Sequence, residues 1–282
     1  MDYEKKLFRK LKENLNKYFP DEEVRIIKIN KVSELYKDML ETRTYKCTLN
    51  GTRPKVLYVK YFTEYKKKKL GGIKKLKEFD RYRDELKIPR VYDLYRDLNS
   101  IVVEGVSGTK LSKLFPIYLL LGVRSFHFTK IKNILEEIAE AVANLHKITR
   151  KKGKPTITQS FNDLKLGNVL FDGRKIKIID FEMVETHYME DIVCFMASLE
   201  MLQKFPYISK EIVEKMKNIF YQKYSRNIDW KINRKLLNKK MREKRHEILH
   251  TLKNKRAQRG VGFFGKIFMK WNVIYLENKL KN

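Results

Sequence analysis

In the first twenty residues Lys and Glu alternate with apolar positions at helical spacing, and the run stops near Pro20, which predicts an amphipathic helix. From Val24 the texture changes. Three segments, beginning Val24-Arg-Ile-Ile, Thr42-Arg-Thr-Tyr and Val56-Leu-Tyr-Val, are rich in β-branched and aromatic residues and read as strands. Asn50-Gly51 lies between the last two, a strong hairpin signal. A helical stretch follows over Ile73–Leu86, stopped near Pro89, and then two more strands at Val91–Tyr95 and Ser100–Glu104. After Gly108 the pattern turns helical, most clearly from Ile131 to Ile148, where Ile131, Ile134, Leu135, Ile138, Ala139, Val142 and Leu145 mark one face. A short β-rich insert spans Asn168–Phe171 and Lys175–Ile179, and the chain is helical again from about Glu190. The expected order is a five-stranded antiparallel sheet with one helix, then a mainly helical part, an α+β arrangement whose boundary falls near Gly105–Gly108. No internal repeat is visible.

A chain of 282 residues with 43% hydrophobic and 12% aromatic residues can bury a real core, so disorder is excluded as a whole-chain reading. Only 2 cysteines, Cys47 and Cys194, exclude a disulfide scaffold and leave thiols expected to be reduced and intracellular. The N-terminus mixes both charge signs and has no apolar core of a signal peptide. The longest charge-free apolar stretch, Leu114–Val123, is far short of the roughly 20 residues a membrane span needs. Net charge is +29, concentrated in the two flanks around a near-neutral middle at 151–200. Basic flanks suit an anionic partner, and carboxylates in the middle suit a divalent cation.

Two segments carry chemistry: Phe161-Asn-Asp163-Leu-Lys165-Leu-Gly-Asn168-Val-Leu-Phe and Ile178-Ile-Asp180-Phe-Glu182. Singly, Asp163 reads as a turn residue, Asn168 as a strand start and Asp180 as a strand end. Together they resemble the catalytic loop and metal-binding triplet of the protein-kinase-like superfamily, Asp-x-x-x-x-Asn followed by Asp-Phe-Gly. The resemblance implies a bilobal protein-kinase-like fold, with an antiparallel β-sheet N-lobe over 1–106 and a mainly helical C-lobe over 107–282. It also implies ATP and Mg2+ as cofactors, with Asp163 beside the acceptor hydroxyl and Asn168 and Asp180 on the metal.

Upstream elements fit the same resemblance. Leu57-Tyr58-Val59-Lys60 ends a strand where the superfamily places its phosphate-holding lysine, and aminoglycoside kinases often set a tyrosine over the adenine there. Tyr58 and Lys60, two apart, project from one face. Glu78 matches the glutamate that pairs with this lysine, with Glu85, close to the helix end, as the competing candidate. Ile101-Val-Val-Glu104-Gly-Val106-Ser-Gly resembles the hinge, whose Glu104 carbonyl and Val106 amide would bind the adenine edge. His146, in Leu145-His146, reads as structural.

There are departures too. No G-x-G-x-x-G precedes Lys60, Phe161 stands where a histidine is usual, and Glu182 replaces the triplet's glycine. Asp-Phe-Glu is similar to choline-kinase-like and aminoglycoside-kinase-like enzymes. No Ala-Pro-Glu occurs, and Asp191-Ile192 opens the next helix eleven residues after Asp180, which leaves little room for a peptide-binding platform. Lys165 points the other way, since Ser/Thr protein kinases carry a lysine there to touch the γ-phosphate. Lysine-rich stretches such as Lys66–Lys69 are similar to those of lipopolysaccharide-core kinases. The resemblance covers about residues 24–200.

The expected activity is transfer of the ATP γ-phosphate to a hydroxyl of a small-molecule, sugar or lipid-linked glycan acceptor. The alternatives are an atypical Ser/Thr protein kinase and a pseudokinase that only binds. Residues 231–259 hold twelve Lys/Arg against two Glu and lead into an aromatic stripe from Phe263 to Tyr275. That region reads as a core-docking helix, as an interfacial element on anionic lipid, or as a nucleic-acid contact, in that order. The expected location is cytoplasmic, with a peripheral position at the inner membrane surface as the variant.

Overall fold

Helix α1 (Tyr3–Tyr18) buries Leu7, Leu11, Leu15 and Tyr18, a stripe set by the helical repeat. It lies on one face of an antiparallel sheet built from β1 (Arg25–Glu34), β2 (Thr42–Asn50), β3 (Lys55–Phe62), β4 (Val91–Tyr95) and β5 (Ser100–Glu104), in the order β1-β2-β3-β5-β4. The structure is a computed structural model that describes residues 3–34, 42–51, 55–62, 77–122, 126–151, 153, 156–181, 183–257, 273 and 277. The chain divides into two units, Met1–Ser107 and Gly108–Asn282.

In the first unit Tyr45, Cys47, Leu49, Leu57, Val59 and Val102 join the α1 leucines in one apolar cluster. Each fully buried leucine contributes about 1.5–3 kcal/mol by leaving water. Because strand side chains alternate, burying Leu57 and Val59 against α1 turns Tyr58 and Lys60 to the opposite face, where both are partly exposed. Polar contacts pin the helix in register: Tyr18 and Tyr95 share a hydroxyl bond of 2.7 Å, and Tyr3 and Ser100 another of 2.7 Å. Burial pushes the Tyr3 phenol up to about 12.

The helix expected over 73–86 differs in detail. Residues 73–76 lie outside the described residues; 77–79 are helical, Asp80–Tyr82 is a tighter 3-10 turn, and the stretch closes at Lys87 with φ 54°. The Ile88 N–H donates to Arg83 O at 3.0 Å across this left-handed residue, a Schellman-type cap that would ordinarily use glycine. Asp80 Oδ1 accepts the Val91 N–H at 2.9 Å and so ties the turn to the start of β4.

The second unit holds α2 (Leu111–Leu121), α3 (Phe126–Thr149), α4 (Met189–Glu200), α5 (Lys210–Arg226) and α6 (Arg234–Ala257). Ile131, Ile134, Leu135, Ile138, Ala139, Val142 and Leu145 of α3 are all buried. Two small sheets accompany the helices. β6 (Thr109–Lys110), β8 (Val169–Phe171) and β9 (Ile176–Ile178) form one, and β7 (Ile157–Ser160) pairs with β10 (Val184–His187) in the other. The sequence pattern does not announce β6, β7 or β10, which are two to four residues long and exist through their distant partners.

Glu200 fastens α6 to the unit. It is buried and accepts Lys217 Nζ at 2.7 Å and Arg245 Nη2 and Nε at 2.7 and 2.8 Å. Burial pushes its carboxyl up, but the Arg245 and Lys217 hydrogen bonds outweigh that and hold it below the usual range. Val273 packs on Leu249, and Glu277 pairs with Lys253 at 2.7 Å. The aromatic stripe residues Phe263, Phe264, Ile267, Phe268, Trp271, Ile274 and Tyr275, together with Lys66–Lys69 and Glu182, lie outside the described residues. Among the described residues no helix is long and apolar enough to cross a membrane.

Candidate active site

The loop from Ser160 to Asn168 is shaped by one buried carboxylate, Asp191, on the first turn of α4. Its Oδ1 accepts Ser160 Oγ at 2.7 Å, and its Oδ2 accepts the Phe161 N–H at 3.0 Å. His146 Nε2 lies 3.1 Å from the same Oδ2, and with Nε2–H donating there, His146 Nδ1 accepts the Tyr224 hydroxyl at 2.8 Å. The loop then reverses sharply. Asn162 takes φ 64° with its N–H on Ser160 Oγ at 2.9 Å, and the Asp163 N–H bonds Phe161 O at 2.8 Å. Phe161 is buried, so it packs beneath a turn that leaves the Asp163 carboxylate about half exposed.

Asp163, Lys165 and Asn168 come together. Lys165 Nζ lies 2.5 Å from Asp163 Oδ2. Asn168 Nδ2 donates to Asp163 O at 2.9 Å and to Asp163 Oδ2 at 3.0 Å. The amide nitrogen being used this way, Asn168 Oδ1 is the atom left to face a cation. Leu166 is held from below, its N–H donating to Ser198 Oγ of α4 at 3.2 Å.

The β8–β9 hairpin brings Asp180 alongside. Its turn is made by Asp172, whose Oδ1 accepts the N–H groups of Arg174 and Lys175 at 2.8 Å each, and by Gly173 at φ 102°. On return, the Ile179 N–H donates to Asn168 O at 2.8 Å. Asp180, the next residue, is exposed with φ 59°, a left-handed conformation that aspartate tolerates better than most residues. One carboxylate and one amide oxygen form a hard donor pair that suits Mg2+, which keeps waters and takes further oxygens from phosphates. Asn168 and Asp180 could hold such a cation.

In the first unit, Tyr58, Glu104 and Val106 line one cavity of about 730 Å3, within the size range of small-molecule sites. Phe19 and Tyr92 add aromatic surface, and Lys46 and Arg90 add positive charge. Lys60 stands two residues beyond Tyr58 on the same strand face. Glu78 and Glu85 are both exposed, and among the described residues no ion pair brings either to Lys60.

Gly105 closes the cavity wall. Its N–H donates to Val56 O at 2.7 Å, and a Cβ there would sit 2.5 Å from that oxygen. Gly105→Ala is expected to cost about 1–3 kcal/mol by forcing Val56 aside. Both residues line the cavity, so the substitution should also reshape it. A thermal melt of the variant checks this.

In the sequence Asp191 marks only the start of a helix. The signal that could have found its role is a carboxylate set inside the apolar run Met189–Leu199, a position that burial makes costly unless it is fully bonded. Asp191→Ala should destabilise the chain by about 3–5 kcal/mol, since it strands Ser160, the Phe161 N–H and His146 in the interior. Asp191→Asn, which keeps an acceptor, should cost less, and denaturant melts of the two variants give the comparison.

No family model and no curated protein matches the sequence. The architecture is nonetheless that of the protein-kinase-like fold, with an antiparallel-sheet N-lobe and a mainly helical C-lobe. Among solved structures, LicA in complex with AMP superposes with a TM-score of 0.54 at 12% identity, over 97% of this chain and 98% of that one. Amicoumacin kinase hAmiN with AMP-PNP, Ca2+ and Ami gives 0.54 at 12% identity, over 99% and 96%. A protein described as a fructosamine-3-kinase from Haemophilus somnus 129PT gives 0.53 at 11% identity, over 97% and 99%.

Proposed function

We propose that this chain is an ATP- and Mg2+-dependent phosphotransferase acting on a hydroxyl of a small molecule, sugar or lipid-linked glycan. The observation that carries the reading is the joined set Asp163–Asn168–Asp180, with Asn168 bonded through Nδ2 to Asp163 and through its backbone to the residue before Asp180. The nucleotide and small-molecule acceptors bound by proteins of the same fold support it.

Asp163 orients the acceptor hydroxyl and takes its proton as the oxygen attacks the γ-phosphorus. The bond from that phosphorus to the β-bridging oxygen breaks, and ADP leaves with the electron pair. Lys165, against Asp163 Oδ2, offers its ammonium to the oxygens of the transferring group. Mg2+, when held by Asn168 and Asp180, supplies neutralising charge to the phosphates. Tyr58, Glu104 and Val106 receive the adenine, and Lys60 addresses the phosphates. The pairing of Glu78 with Lys60 belongs to the same reading and requires Glu78 to reach Lys60.

The short connection from Asp180 to α4, carrying β10, favours a small acceptor over a peptide. The Lys165–Asp163 contact favours the second reading, an atypical Ser/Thr kinase. Transfer from γ-labelled ATP onto a cell extract separated into protein, lipid, glycan and small-molecule pools discriminates them. Label is expected outside the protein pool, and label confined to protein would reverse the ranking.

A further inference from the structure

The apolar stretch Leu114–Val123 has no role in the site above. Helix α2 runs through it and sorts it into two faces. Leu111, Phe115, Pro116 and Leu119 are buried, whereas Ile117, Leu120 and Leu121 are 51%, 64% and 61% exposed. The exposed three stand at i, i+3 and i+4, so they form one contiguous patch rather than scattered apolar residues. Lys113, one turn before Ile117, is exposed on the same side, and Lys110 is exposed at the helix start.

The charge flanking this helix in sequence has one sign. From Gly105 to Leu135 the sequence holds Lys110, Lys113, Arg124, Lys130 and Lys132 and no Asp or Glu. Lys132 is paired with Glu136 at 3.9 Å, and the whole chain carries +29. An aliphatic centre with the exposed Lys110 and Lys113 beside it matches the boundary of an anionic bilayer, where apolar side chains enter the acyl edge and ammonium groups meet lipid phosphates. At 11 residues α2 is too short to span, so it would lie in the interfacial plane. We infer that the outer face of α2 docks on an anionic lipid surface. The same helix packs on the Leu166–Asn168 turn of the catalytic loop, so docking would hold that loop near the membrane interface. The docking stands independently of the proposed phosphotransfer and is read by a separate assay.

The test is co-sedimentation of the full chain with vesicles of phosphatidylcholine alone and of phosphatidylcholine mixed with phosphatidylglycerol. Binding is expected to the mixed vesicles, weaker at high salt, and slight to the neutral ones. Leu120→Gln/Leu121→Gln should weaken it at least about tenfold at an unchanged melting temperature. Lys110→Gln/Lys113→Gln should weaken it too and flatten the salt dependence. It reads the same face without touching the apolar side chains, and so decides the matter if the leucine variant melts early. The inference is overturned if the wild type binds neither vesicle, or binds both equally. It is also overturned if both double variants bind like wild type, which would assign binding to the basic stretch at 231–259. A dimer dispersed by the leucine substitutions, without vesicle binding, would assign the face to a second copy and overturn it as well.

Discussion

Asp163→Asn is expected to lower turnover by about 10²–10⁴-fold while leaving ATP affinity near that of the wild type. The substitution preserves shape: an asparagine Oδ1 can still accept from Asn168 Nδ2, and the bond from that amide to the backbone oxygen of residue 163 is untouched. What is lost is the oxygen that would take the hydroxyl proton in the proposed reaction and the negative charge that holds Lys165. Because the carboxylate is about half exposed, the melting temperature should hardly move. Steady-state kinetics with the identified acceptor measures the effect, and unchanged turnover would remove Asp163 from the reaction.

Asp180→Ala is expected to abolish stabilisation by Mg-ATP. A ligand at a hundredfold excess over its Kd stabilises the native state by about 2.7 kcal/mol, a shift easily read in a melt. With the carboxylate gone, Asn168 Oδ1 alone is a poor anchor for a hard cation. Alanine also pays for the left-handed backbone at this position, about 1–2 kcal/mol, so the ligand-free variant should melt lower. Asp180→Asn tolerates that backbone and separates the two effects: it should melt near wild type without ligand and still fail to respond to Mg-ATP. A wild-type response in either variant would take Asp180 out of the proposed metal site.

The sheet strands and α3 were legible because their apolar periods are strong and because Asn50-Gly51 and Asp172-Gly173 lie between paired strands. The stretch expected as a helix over 73–86 ends at Lys87 as the pattern suggests, but Asp80–Tyr82 is 3-10 and 83–87 are turns, a tightening that apolar spacing alone does not distinguish from an α-helix. β7 and β10 escaped notice since four residues each leave no alternation to read, and only their mutual pairing makes them strands. Within the site, the spacing of Asp163 and Asn168 is local, so their closeness could be anticipated from five positions of sequence. The part of Asp191 could not, for it depends on a loop some thirty residues earlier folding back to be bonded. The same holds for the cavity, whose Phe19 follows directly on α1, far in sequence from Tyr58 and Glu104.

The most direct test of the phosphotransfer reading compares ATP labelled at the γ-phosphorus with ATP labelled at the α-phosphorus, each incubated with the full chain, Mg2+ and the acceptor pool. The account predicts Mg2+-dependent transfer of the γ label only, stopped by a chelator and by Asp163→Asn. Mg-ATP binding without transfer of either label would contradict it and leave a binding protein in its place.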